Sequence, residues 1–262
     1  MGERLQRQGA LVLKRLRADS TLTPQRLAQL SVQLRHAGVA TPRCHYDERH
    51  HLLCYPWQEG RSAREWFATE LQASAHDWPG PALLMRLLAP VVALHRVPPR
   101  WELPPLDPWR RIAPRLGLLD ERQQRAVVYP LQQRWQRIGQ DCGVILHGDF
   151  HLGQLLLREH DQAAQLLDLE DCCQGPREFD LGNFAAHLVS SAPEHRFSAA
   201  ELQRQLDALS AAYQQLGGEP LERQRLRLCA QLALLRRALK LAEQGQPPVR
   251  WQPLLEWLAQ QP

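Results

Sequence analysis

The chain has 262 residues and a formal net charge of +4, with 44% hydrophobic and 23% charged residues. That composition excludes a disordered chain and a small disulfide-stapled one, and a charge this low, with no dense basic run, does not point to nucleic acid. One imbalance stands out: of the 32 Lys and Arg residues only Lys14 and Lys240 are lysine. Arg serves a solvated surface as well as Lys. A lysine kept against that bias asks for a local reason, because its ammonium is a compact point charge and guanidinium a planar fork.

No apolar stretch approaches the ~18–20 residues of a membrane span, so no membrane partner is expected. The start Met1-Gly2-Glu3-Arg4-Leu5-Gln6 lacks the apolar core of a signal peptide, and Gln6 stands where myristoylation needs Ser or Thr. The six cysteines, Cys44, Cys54, Cys142, Cys172, Cys173 and Cys229, form no CxxC pair. Reduced thiols in a cytoplasmic protein are expected, not a zinc knuckle or a disulfide framework.

In chain order, Gly9 to Arg17 predicts a strand with Val12, Lys14 and Leu16 on one face. Thr23-Pro24 opens a helix with Leu27, Leu30 and Leu34 at helical spacing, closed by Gly38. Arg43 to Trp57 predicts two short strands around Asp47-Glu48-Arg49, the second being Leu52 to Tyr55, stopped by Pro56. Pro81 to His95 predicts a helix with Leu84, Leu87, Leu88, Val91, Val92 and His95 on one stripe. A proline-rich connection (Pro98, Pro99, Pro104, Pro105, Pro108) and helical segments follow, up to Gly139. Val144 to Leu146 predicts a buried strand running into His147-Gly148-Asp149-Phe150-His151. Gln154 to Leu157 and Ala164 to Leu169 predict two more, around the turn Glu159-His160-Asp161. The rest reads as helix, broken at Pro193, Gly217-Gly218 and Pro247-Pro248. The fold class is therefore α+β: a small mixed segment over 1–57, a hinge near 55–60, and a larger, mostly helical part over 58–262.

The chemistry concentrates in Val144 to Leu188. Asp149 and Gln154 flank one strand entrance, and Asp168 ends an apolar strand with Glu170 and Asp171 just beyond. Carboxylates gathered at a strand end suit a hard cation such as Mg²⁺, and one further carboxylate can deprotonate a hydroxyl.

These residues resemble the aminoglycoside phosphotransferase and choline kinase superfamily, small-molecule kinases with a two-lobed protein-kinase-like fold. The resemblance rests on His147-Gly148-Asp149, on Gln154 at an asparagine position, on Leu166-Leu167-Asp168 and on Asp180-Leu181-Gly182-Asn183-Phe184. Leu88 to His95 resembles the family's central helix, Leu52 to Tyr55 with Glu59-Gly60 its hinge, and Lys14 stands where a phosphate-holding lysine belongs. The resemblance implies a nucleotide-binding lobe over 1–57 and a catalytic, acceptor-binding lobe over 58–262. It implies ATP and Mg²⁺ as cofactors and a small-molecule hydroxyl as acceptor. Asp149 would be the catalytic base, Asp168 and Gln154 the metal ligands, and Lys14 the contact to the nucleotide phosphates. Backbone groups around Cys54, Tyr55 and Trp57 would bind adenine. His147 and Asp180 would have supporting roles, His147 in packing and hydrogen bonding and Asp180 bracing the catalytic loop.

Three departures go with it. Gln replaces Asn at 154. The helix after Pro24 carries no Glu, so the usual lysine–glutamate pair is absent, replaced by an amide, or supplied elsewhere. About ten residues precede the Lys14 strand, too few for two strands and a glycine loop, so either that loop is lost or the chain's start lies upstream. They motivate a second reading, a kinase-like nucleotide-binding scaffold with little catalysis. A third, remote reading takes Gly148-Asp149-Phe150-His151 as the element of a metal-dependent phosphoesterase with His147, Asp149 and His151 as ligands.

Overall fold

The structure, a computed structural model, describes residues 5–70, 80–98, 103–139, 143–158, 163–191 and 197–261. Met1 to Arg4, Pro99, Cys142, the turn Glu159 to Asp161 and the break at Pro193 lie outside the described residues. The chain divides into two compact units: residues 1–104, 144–174 and 212–218 form the first, and residues 105–143, 175–211 and 219–262 the second.

The first unit opens with an antiparallel sheet of order β1-β2-β4-β3, built from β1 (Leu5–Gln8), β2 (Leu11–Lys14), β3 (His45–Asp47) and β4 (Leu52–Pro56). β1 and β2 turn at Gly9, whose φ of +57° is left-handed. One strand thus precedes the Lys14 strand among the described residues. In the register Lys14 lies opposite Leu53, and both are buried. β4 runs through Pro56 rather than stopping before it. β3 pairs no further than Cys54, so Pro56 has a strand partner on one side only, and an edge tolerates the missing N–H.

Helix α1 (Pro24–His36) starts as its sequence dictates: the Thr23 hydroxyl accepts from the Arg26 N–H and Pro24 opens the first turn. Its Leu27, Leu30 and Leu34 are buried. After α2 (Ala63–Glu70), α3 (Pro81–His95) buries the whole predicted stripe of Leu84, Leu87, Leu88, Val91, Val92 and His95. His95 ends it with Nδ1 at 2.9 Å from the Tyr213 hydroxyl, and the Arg96 guanidinium bonds the carbonyls of Leu216 and Gly217.

The strand-rich centre holds β6 (Val144–Leu146), β7 (Leu155–Leu157), β8 (Gln165–Leu166) and β9 (Cys173–Gly175). β6 pairs with β9, while β7 lies between β8 and the two-residue strand β5 (Arg61–Ser62). β8 is shorter than the predicted Ala164 to Leu169. Asp168 adopts φ 58°, ψ 68°, which breaks the ladder and starts a 3₁₀ turn over Leu169–Asp171.

The second unit is helical. It contains a 3₁₀ turn at Ala113–Leu118, α4 (Glu121–Gln123), a π-helical turn at Gln124–Val128 and α5 (Tyr129–Ile138). Then come α6 (Glu178–Ser191), most of α7 (Ala199–Gln215), α8 (Arg223–Glu243) and α9 (Gln252–Ala259). α6 packs on α8 so closely that a Cβ on Gly182 would lie 2.6 Å from the Ala230 nitrogen. Glu178 ties the two helix starts: its carboxylate accepts the Glu222 N–H at 2.8 Å and faces Arg225 Nε at 3.3 Å. The α+β class expected from the sequence is the one observed.

Candidate functional site

The site residues of the first unit come from segments far apart in sequence. His147 follows β6 and is fully buried, with both ring nitrogens engaged by backbone. Nδ1 accepts the Asp149 N–H at 3.3 Å, which leaves Nε2–H to donate to the Leu167 carbonyl at 2.7 Å. His147 thereby joins the Asp149 loop to the strand end before Asp168. Gly148 between them has φ +78°, and a Cβ there would lie 2.2 Å from the Asp171 carbonyl oxygen. Only glycine allows both the turn and that approach. Asp149 is 7% exposed. Its Oδ2 lies 3.9 Å from His151 Nε2, the nitrogen that carries the proton in the neutral ring because Nδ1 accepts the Gly153 N–H.

A backbone hydrogen bond joins the segments that carry the two predicted metal ligands. The Leu167 N–H donates to the Gln154 carbonyl at 2.8 Å, so Gln154 and Asp168 are neighbours. Asp168 is half-buried, its side chain 26% exposed, whereas Leu169, Glu170 and Asp171 after it are buried.

Lys14 arrives from the four-stranded sheet. Its ammonium, 7% exposed, hydrogen-bonds Asp168 Oδ1 and lies 3.5 Å from Glu170 Oε1. Arg17 joins the cluster: its Nε is 3.1 Å from Glu170 Oε1 and 3.2 Å from Asp19, and its Nη2 bonds Asp171. Burial pulls the Arg17 guanidinium down, but Asp171, Glu170 and Asp19 more than offset it and hold it above its ordinary value. The carboxylates on Lys14 thus come from Asp168 and Glu170, not from α1, which carries no acid. Sequence reasoning gave Arg17 no role. In so arginine-rich a chain its identity carries no signal, and only its three-residue offset from Lys14 hints at it.

The hinge residues sit on and after β4. Among the described residues no strand pairs with the edge of β4 away from β2 past Cys54, while the Trp57 N–H is used by the Ala10 carbonyl at 2.7 Å. The Arg7 guanidinium stacks 4.0 Å from the Trp57 ring centre. Burial, with smaller contributions from Cys44, Asp168 and Glu170, raises the Tyr55 phenol well above its usual range. Asp180 lies on α6 in the second unit, fully buried.

The donors suit Mg²⁺: Asp168 presents a carboxylate that already draws an ammonium, and the Gln154 amide oxygen is a hard ligand too. Among the described residues no helix is long and apolar enough to cross a membrane.

The sequence profile of the phosphotransferase enzyme family matches residues 3–216. Among solved structures, a choline/ethanolamine kinase family protein from Mesorhizobium loti is 18% identical, with a TM-score of 0.67, covering 98% of this chain and 85% of its own. A choline kinase from Streptococcus pneumoniae is 14% identical, with a TM-score of 0.63, covering 96% and 86%. An aminoglycoside phosphotransferase, a thermostable mutant in ternary complex with AMP-PNP and hygromycin B, is 13% identical, with a TM-score of 0.63, covering 99% and 90%. No curated protein matches the chain. At these identities the likeness is one of fold, and that fold is the protein-kinase-like one of small-molecule kinases.

Proposed function

The chain belongs to the phosphotransferase enzyme family, and from that membership we propose that it moves the γ-phosphoryl group of ATP to a hydroxyl of a small metabolite, such as a sugar, an amino alcohol or an aminoglycoside-like compound. The observation that carries the reading is the meeting of Lys14 with Asp168, 154 positions apart in sequence, beside Gln154 and the Asp149 loop. Phosphoryl transfer asks mainly for positioning and charge neutralisation, and these groups provide both.

Residues 1–57 are the nucleotide-binding lobe in this reading, with adenine on the open edge of β4 from Cys54 to Trp57. Residues 58–262 are the catalytic and acceptor-binding lobe. Lys14 contacts the nucleotide phosphates. Asp168 and Gln154 would hold Mg²⁺, which supplies neutralisation of phosphate charge. Asp149 accepts the proton of the acceptor hydroxyl as its oxygen bonds the γ-phosphorus. The bond from that phosphorus to the bridging oxygen breaks, and ADP leaves with the electron pair. His147 fixes the Asp149 backbone and touches no substrate.

The phosphoesterase reading loses a ligand here, because both nitrogens of His147 are already bonded to backbone. The test is ATP turnover with candidate acceptors under Mg²⁺. Wild type is expected to yield ADP and a phosphorylated acceptor, and Asp149→Ala to lower kcat by roughly 10²- to 10⁴-fold with ATP affinity kept. Nucleotide binding without turnover in wild type would replace the reading with the scaffold one.

A further inference from the structure

We infer that Glu170 is the positioning residue for Lys14: its buried carboxylate holds the ammonium where the nucleotide phosphates meet it. This deepens the phosphotransferase reading and rests on it.

The 13 residues of α1 include no acid, so that helix cannot supply an anion to Lys14. Among the described residues the carboxylates on its ammonium are those of Asp168 and Glu170, and the two differ in kind. The Asp168 side chain is 26% exposed and follows a left-handed backbone, so it is open to a ligand. The Glu170 side chain is 1% exposed and fixed from several directions. Its Oε1 also faces Arg17 Nε at 3.1 Å, and its Oε2 accepts the Arg17 N–H at 3.5 Å. Its carbonyl oxygen takes the Thr21 N–H at 3.2 Å and the Ser20 hydroxyl at 3.0 Å. Glu170 is therefore the residue of the turn after Asp168 that binds residues 14–21 through both its side chain and its backbone, beside the contacts of Lys14 with Asp168 and of Arg17 with Asp171. A carboxylate so buried is costly to leave without a cation, whereas an exposed one exchanges its partner readily. When Asp168 turns to a ligand, the anion that stays with Lys14 is Glu170.

The composition makes a direct test available. Lys14 and Lys240 are the only lysines, and Lys240 is exposed, so amine-selective acylation read by mass spectrometry follows Lys14 against an internal reference. In ligand-free protein, Asp168→Asn is expected to raise the Lys14-to-Lys240 labelling ratio less than about threefold, and adding Glu170→Gln to raise it about tenfold or more. Equal labelling of the single and double variants would overturn the inference. Should Glu170→Gln fail to fold, Glu170→Asp replaces it. Drawing the carboxylate back by one methylene is expected to give intermediate labelling, and wild-type labelling would count against the proposal.

A second measurement reads function without metal. In EDTA, ATP binding by calorimetry is expected to weaken by a similar factor in Lys14→Ala and Glu170→Gln, and no further in the double variant. Unchanged ATP affinity in Glu170→Gln would overturn a positioning role and leave Glu170 as a metal ligand or a structural acid. If wild type binds no ATP at all, the phosphotransferase reading fails while the labelling experiment still decides whether Glu170 holds Lys14.

Discussion

The reach of Asp149 depends on the glycine before it. Gly148 holds φ at +78° with no room for a Cβ against Asp171, so Gly148→Ala carries both a left-handed penalty, about 1–2 kcal/mol, and a backbone clash. Thermal unfolding is expected to show a lowered Tm, and turnover to fall although Asp149 is untouched. Cys44 gives an independent check on burial. Desolvation pushes its thiol up to about 11, and a raised thiol pKa leaves it neutral at pH 8. Iodoacetamide is expected to leave Cys44 unmodified in native protein and to label it after unfolding. At this scale the sequence was partly legible. Lys14 stood out because the chain otherwise uses arginine, and the carboxylates after Asp168 were visible as a group. That Glu170 takes up Lys14 was not legible, because no local periodicity reports a contact between residues so distant in the chain.

Elements with strong periodicity were the easiest to read. α3 matches its predicted span because six apolar or aromatic positions repeat at helical spacing and Gly80-Pro81 opens it. α6 is buried on nearly every face, so it is legible as apolar helix but not as to its partner. Its contact with α8 depends on Gly182. Ala is the better helix former by about 1 kcal/mol, so on propensity alone Gly182→Ala would stabilise. The 2.6 Å approach to Ala230 reverses that sign. Urea unfolding is expected to show a net loss of roughly 1–3 kcal/mol. Short elements escaped the sequence reading. Arg61-Ser62 has no apolar pattern and becomes a strand only because β7 offers its edge. β8 ends early because Asp168 turns left-handed, and the apolar pattern of the sequence carries no mark of that turn. The π-helical turn before α5 has no sequence mark.

The whole molecule is assembled from discontinuous pieces. Each compact unit takes three separate stretches of chain, and the cuts after Pro104 and Gly218 fall at the proline-rich connection and the paired glycines that the sequence already shows. Motif order carried the fold class further than composition did. A lysine strand, a hinge strand, an apolar helix and then His147-Gly148-Asp149 before Asp168 follow the order of a kinase-like chain, and the profile match over 3–216 agrees. The central claim is tested most directly by incubating the protein with Mg²⁺, ATP and a cell metabolite extract and following the products by mass spectrometry, with Asp149→Ala in parallel. The account predicts a compound heavier by one phosphate that forms with wild type and not with the variant. No such compound with wild type, or the same compound in equal amount with Asp149→Ala, would contradict it.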